Sequence, residues 1–339
     1  MDRRAFITSV SLGLLAAPLA EAQQPGKVYR VGYLGYAHPT ETRDLETFRQ
    51  RLRDLGYVEG KNLVIESRLA GSNFERLPAL AAELASLKVD VIAAYGNPTI
   101  EALKRATQTI PIVMILSGDP VGAGLVRSLA HPGGNVTGLS TLGEGLSAKW
   151  LEFLTQAAPG ITRVGVLMVA NASTHSRYLR DIKTAGQRTG TRVLGLEARG
   201  HDEIERAFAA LTKARAQGLI VLPNPVTLTH QRQIIELAAK NRLPAMYPYR
   251  EFTESGGLMT YSTNRTEMYR RSAMFVDKIL RGARPGDLPI EQPTTFELVI
   301  NLKTAKALGL TISPSILFQA DEVIQCVGEP GGLTSALRR

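Results

Sequence analysis

The sequence predicts an α/β protein made of two doubly wound parallel-sheet domains. Three observations carry this. From Val28 onward, short apolar runs alternate with amphipathic stretches, which is the signature of βα units. The alternation stops at Pro132-Gly133-Gly134-Asn135 and restarts beyond Val136–Ser140. A chain of 339 residues with 44% hydrophobic content is long enough to bury two cores.

In the first half, Val28–Leu34 reads as a strand ending at Gly35-Tyr36. A helix follows over Thr42–Leu55, with Leu45, Phe48, Leu52 and Leu55 on one face and Gly56 closing it. Leu63–Arg68 is a strand, Phe74–Leu87 a helix, and Val89–Ala94 a buried strand. Asn97-Pro98 opens a helix to about Thr107, with a capping residue followed by a first-turn proline. The apolar run Ile112–Leu116 is the next strand, and Asp119-Pro120 predicts a further helix directly after it. The chain is organised around this strand-to-helix step, because ligands of open α/β sheets bind at carboxyl ends of strands and at helix N-termini. Val136–Ser140 then leaves for the second half, and its departure marks a hinge.

In the second half, Ala148–Gln156 is a helix with Trp150 read as core. Strands are expected at Arg163–Val169, Arg192–Glu197, Gly218–Leu222, Ala245–Tyr247 and Leu258–Tyr261. Helices are expected at Ser173–Thr189, Asp202–Ala214 and Leu228–Lys240. A long helix over Glu267–Arg281 leads to a proline-rich connection, Pro285–Pro293. A strand at Phe296–Ile300 and a helix at Lys303–Leu308, closed by Gly309, follow. Two similar halves thus stand in tandem, without residue-level repetition.

The formal net charge is +9, but lysines and arginines are scattered in runs no longer than two, which reads as a solvated surface and excludes a nucleic-acid groove. Arg3-Arg4, the apolar Ala5–Ala20 and Ala20-Glu21-Ala22 predict a leader over residues 1–24, cleaved near Ala22 after export to a periplasm. The Arg3-Arg4 pair leaves the Tat and Sec routes both open. Cys326 is the only cysteine, reads as a small core residue, and cannot form an internal disulfide.

Several motifs together resemble the solute-binding proteins of ABC importers, in the family that includes tryptophan- and tyrosine-type receptors. They include Gly56-Tyr57-Val58-Glu59-Gly60-Lys61-Asn62, Gly118-Asp119-Pro120-Val121 and Pro132-Gly133-Gly134-Asn135-Val136-Thr137-Gly138. Later come Gly256-Gly257-Leu258-Met259, Asp287-Leu288-Pro289-Ile290-Glu291-Gln292-Pro293 and Ile300-Asn301-Leu302-Lys303-Thr304-Ala305. The resemblance covers nearly the whole chain after the leader. It implies a periplasmic binding protein type I-like fold with a multi-strand hinge, whose further crossings lie near Tyr261-Ser262 and in Pro289–Pro293. Domain 1 is then residues 25–138 with 263–290, and domain 2 residues 139–262 with 291–339. It also implies a monomer that delivers a small solute to an ABC permease powered by a separate ATPase. The chain departs from many relatives, which carry Tyr-Gly, at Tyr261-Ser262-Thr263-Asn264-Arg265, and this leaves the ligand assignment open.

Candidate site residues follow from predicted strand ends. Asn97 and Thr99, with backbone N–H groups around them, suit a carboxylate, unless they only begin a helix. Asp119 either pairs with a solute ammonium or simply caps; Ser117 has the same two readings. Ser140 and Thr141 stand at the hinge. Tyr33, Tyr36, Tyr95, Tyr247, Tyr249 and Tyr261 lie near strand ends, where tyrosine can stack on a planar solute or simply be half buried. Tyr36, Tyr95, Tyr247 and Tyr261 are taken as candidates, with Asn171 and Asn224 as hydrogen-bonding residues or turn formers. Arg250 and Arg265 read as solvated surface, with anion binding the alternative.

No catalytic residue, metal site or cofactor is expected. G-x-S-x-G, P-loop and H-E-x-x-H motifs are absent, the five histidines lack ligand spacing, and Gly32-Tyr33-Leu34-Gly35 lacks the third glycine of a dinucleotide fingerprint. The expectation is therefore a binding protein for a small carboxylate-bearing, possibly aromatic amino-acid-like solute. The alternative is a periplasmic sensor subunit that feeds a receptor kinase.

Overall fold

The computed structural model describes residues 27–325 apart from 37–38, 72, 142–144, 170–171 and 173. The leader over residues 1–24, Asn171 and Cys326 lie outside the described residues.

The chain opens with β1 (Tyr29–Gly35), α1 (Pro39–Asp54), β2 (Leu63–Leu69), α2 (Leu77–Ser86), β3 (Val91–Tyr95), α3 (Asn97–Ala106), β4 (Ile112–Ser117) and β5 (Val136–Ser140). These strands form one five-stranded sheet, β2-β1-β3-β4-β5, with every pairing parallel. β3 and β4 are buried at each position, as continuous apolar runs require when helices cover both faces. Leu45, Phe48 and Leu52 of α1 and Ile100 and Leu103 of α3 pack against the sheet.

No helix follows Asp119. One turn forms, with Ala123 N donating to the Asp119 carbonyl at 2.9 Å. Gly124 then takes a positive φ of 67°, and the chain leaves the helical path. The Asp119 carboxylate accepts from Gly122 N at 2.9 Å, which closes a local turn in place of a helix start.

The second half contains α4 (Leu146–Ala157), β6 (Arg163–Met168), α5 (His175–Thr189), β7 (Arg192–Glu197), α6 (His201–Lys213) and β8 (Gly218–Val221). The expected helix over Leu228–Lys240 is two pieces, α7 (Pro225–Thr229), capped by Asn224, and α8 (Gln231–Lys240). β9 (Ala245–Tyr247), α9 (Arg250–Glu254) and β10 (Met259–Thr263) follow. After α10 (Arg265–Leu280) come β11 (Phe296–Asn301), α11 (Leu302–Leu308), α12 (Pro314–Gln319) and β12 (Glu322–Ile324). The short α9, α12 and β12 had no counterpart in the sequence reading, because three to six residues show too little periodicity.

The second sheet has seven strands in the order β12-β11-β10-β9-β8-β6-β7. Its pairings are parallel except β10–β11, which is antiparallel. The reason is the path of the chain. β10 runs out toward the first half, the chain forms α10 there, and β11 enters from the same end and must run back.

Sequence-distant segments complete each half. Met268, Tyr269, Phe275 and Val276 of α10 belong to the first core, and the Tyr57 hydroxyl bonds to Asp277 at 2.9 Å. The second sheet has a separate apolar cluster on each face, one with Trp150 and Tyr178, the other with Phe208 and Phe252. Two of the connections between the halves run side by side. Ser140 N donates to the Glu291 carbonyl at 2.9 Å and Glu291 N to the Gly138 carbonyl at 3.0 Å. No helix among the described residues is long and apolar enough to cross a membrane.

Candidate functional site

The carboxyl ends of strands from both sheets face a single cleft of about 450 Å³. That is the place where open α/β sheets bind ligands, and a volume of the size small-molecule sites have. On the first half, Gly96, with φ 82°, turns β3 into α3, so Tyr95, Asn97 and Pro98 reach the cleft together. On the second half, Asn224 after β8 and Tyr249 after β9 line the opposite wall with Trp150 and Tyr178.

The walls are aromatic and rigid. Trp150 and Tyr178 pack with ring centroids 5.3 Å apart, and Trp150 Nε1 donates to the Tyr261 carbonyl at 2.7 Å. Trp150 is thus both core, as its sequence context suggested, and cleft wall. Tyr95 stacks on Tyr269 at 6.0 Å, and the Arg265 guanidinium lies 5.8 Å from the Tyr95 ring centroid.

Arg265 is the principal correction to the sequence reading. It is no surface arginine: its side chain is 10% exposed, and it joins the two halves. Its Nη2 lies 2.6 Å from the Asp44 carboxylate of α1, and its Nη1 lies 3.0 Å from Glu251 of α9. Thr266 also donates to Asp44, at 3.0 Å. Burial opposes the Arg265 charge, but Tyr95, Glu251 and Asp44 hold it protonated, well above the ordinary arginine range. Burial pushes the Tyr95 hydroxyl up to about 12, with Arg265 working the other way. Arg250 is half exposed and pairs with Glu254 at 2.7 Å and Glu322 at 2.6 Å.

A second contact spans the cleft. Asp119, 5% exposed, meets Arg177 of α5 at 3.1 Å. Next to it, a Cβ on Gly118 would fall 2.7 Å from the Thr174 methyl, so the two halves touch at a glycine.

Of the candidates read from the sequence, Tyr95, Asn97 and Asn224 line the cleft. Thr99, Ser117 and Ser140 are fully buried just behind it. Their hydroxyls donate to the Tyr95 and Gly96 carbonyls, to Asn97 Oδ1, and to the Gly118 carbonyl, respectively. Tyr36 is buried against Tyr95 and Phe74, and its N–H donates to Glu41 at 3.0 Å. Tyr33 is fully buried and bonds to Glu41 at 2.5 Å. Tyr247 stacks on Phe252 within the second half's core, and the Tyr261 ring packs on Phe153 and Phe296. The sequence gives no signal for Asp44 and Glu251, because a helix residue does not reveal a partner in the other half, nor for Tyr178, which lies inside α5 and not at a strand end.

Two α/β halves that converge on a buried, aromatic cleft define a solute-binding protein. The residues from 36 to 324 match the model of the family "ABC transporter substrate binding protein". The chain belongs to that family, whose members bind substrate for a transporter and are not enzymes. It is 27% identical to a tyrosine-binding protein of Clostridioides difficile (strain R20291) over 80% of this chain and 78% of that one. Among solved structures, an ABC domain from Streptococcus pneumonia in complex with L-Trp superposes with a TM-score of 0.83 at 23% identity, covering 88% of this chain and 100% of that one. A ligand-free, open substrate-binding protein with adhesive properties from Clostridium difficile gives 0.67 at 25% identity over the same shares. The fold is the type I arrangement of periplasmic binding proteins.

Proposed function

We propose that this chain is the periplasmic capture subunit of an ABC importer for a small solute with a planar or aromatic body and a carboxylate. The observation that carries the reading is the cleft, where Tyr95 of one half faces Trp150, Tyr178 and Tyr249 of the other. Rings on both walls reward closure over a flat solute, and the N-terminus of α3 at Asn97 offers N–H groups to a carboxylate. That relatives bind tyrosine and L-Trp supports the same class. Residues 25–138 with 263–290 close on residues 139–262 with 291–339, and the closed form is the one a permease and its ATPase receive. The protein acts as a monomer after export and cleavage near Ala22, with no nucleic-acid partner.

The test is a thermal-shift screen of the chain from Gln23, first unfolded and refolded to strip bound solute, against amino acids and aromatic carboxylates. Solute at about a hundred times its dissociation constant stabilises by about 2.7 kcal/mol, a midpoint shift of a few degrees. Shifts confined to non-aromatic compounds would refute the aromatic cleft.

A further inference from the structure

We infer that the cleft selects a solute that carries a positively charged nitrogen, and that it rejects aromatic acids lacking one. This deepens the proposed function and rests on the cleft being the solute site. The carboxylate named there is accommodated; the cation is required.

The charges in the cleft are unequal. Arg265 meets two carboxylates, Asp44 and Glu251, and all three side chains are at least 89% buried. Arg250 also faces two, Glu254 and Glu322. Of the three arginines that line the cleft, Arg250 and Arg265 are therefore already matched twice over and the exposed Arg43 remains to accommodate a solute carboxylate, while the Asp44–Arg265–Glu251 cluster keeps one net negative charge. Three residues before Asp44 on α1, Glu41 is 2% exposed and accepts from Tyr33 and Tyr36. Excess negative charge away from water is unfavourable unless a cation arrives to balance it. An added anion would increase it.

The walls point the same way. Tyr95, Trp150, Tyr178 and Tyr249 line the cleft, aromatic rings attract cations, and Arg265 over Tyr95 is one such contact already made. The Tyr178 hydroxyl, in a residue 1% exposed and lining the cleft, has no hydrogen-bond partner of ordinary geometry among the described residues. The Thr141 hydroxyl near it donates to the Ser117 carbonyl at 3.2 Å. A phenolic oxygen in that position can accept from an ammonium N–H.

The experiment uses matched solutes on the refolded chain, with calorimetry and thermal shift at pH 7.5. The sets are L-tyrosine, tyramine and 3-(4-hydroxyphenyl)propionate, and L-tryptophan, tryptamine and indole-3-propionate. We expect the better set to bind as the amino acid and as the amine, with the deaminated acid at least tenfold weaker. Glu251→Gln removes one negative charge and should narrow that gap several-fold, with circular dichroism confirming the fold. The comparison on the unaltered chain stands even if the variant does not fold. A deaminated acid that binds as well as its amine overturns the inference and leaves the aromatic cleft standing. No binding by any of the six overturns both.

Discussion

Gly118→Ala tests whether the two halves must touch for solute to be held. The new Cβ would lie 2.7 Å from the Thr174 methyl and 3.2 Å from the Thr174 Cβ and Oγ1. Gly118 follows β4 in the first half and Thr174 precedes α5 in the second, so the overlap exists only while the cleft is shut. Thr174 is 8% exposed and β-branched, so it has little room to yield. Overpacking by one methyl costs about 1–3 kcal/mol. Charged to the closed form alone, that weakens solute binding by about 5- to 150-fold. The ligand-free midpoint should change little, because separated halves put the methyl in solvent. Calorimetric titration measures the affinity. Fluorescence of Trp150, the chain's single tryptophan and a wall of the cleft, reports occupancy independently. Thr174→Ala added to Gly118→Ala removes the worst contact and should recover most of the loss, a coupling that a double-mutant cycle isolates. Wild-type affinity in Gly118→Ala would refute closure at this contact. So would an equal loss of ligand-free stability.

Two further outcomes concern the frame around the cleft. His175 is fully buried, accepts from Val169 N at 3.0 Å, and faces the Pro223 carbonyl at 3.1 Å through Nε2, and burial lowers its pKa. The unfolded chain takes up the proton near pH 6.5 and the folded chain only below it, so this stability is complete above about 6.5 and lost as pH falls. His230 is lowered in the same sense by burial, and His175→Gln should flatten, though not abolish, the fall of the melting midpoint between about pH 6.5 and 5. Gly138 has φ 123°, and a Cβ there would fall 2.3 Å from the Met114 carbonyl oxygen. Gly138→Ala should cost about 3 kcal/mol or more in urea unfolding, and a loss below about 1 kcal/mol would contradict the close approach of β5 to β4.

The sequence by itself determined the α/β class, the tandem halves and nearly every long element. Runs such as Ile112–Leu116 and amphipathic faces such as Leu45-Phe48-Leu52 encode local structure through burial periodicity. It also placed Tyr95, Asn97 and Asn224 correctly beside strand ends, because the strand's carboxyl end is a local feature. Where several local signals competed, the reading failed: Asp119-Pro120 has the chemistry of a helix start, but Gly122 and Gly124 end the turn. Only the tertiary structure decided what Arg265 does. Its partners Asp44 and Glu251 lie more than two hundred residues before it and fourteen before it, and neither spacing leaves a periodic trace. A charged side chain looks solvated in a sequence until folding shows which opposite charges are buried with it, and that pairing sets the electrostatics of the cleft.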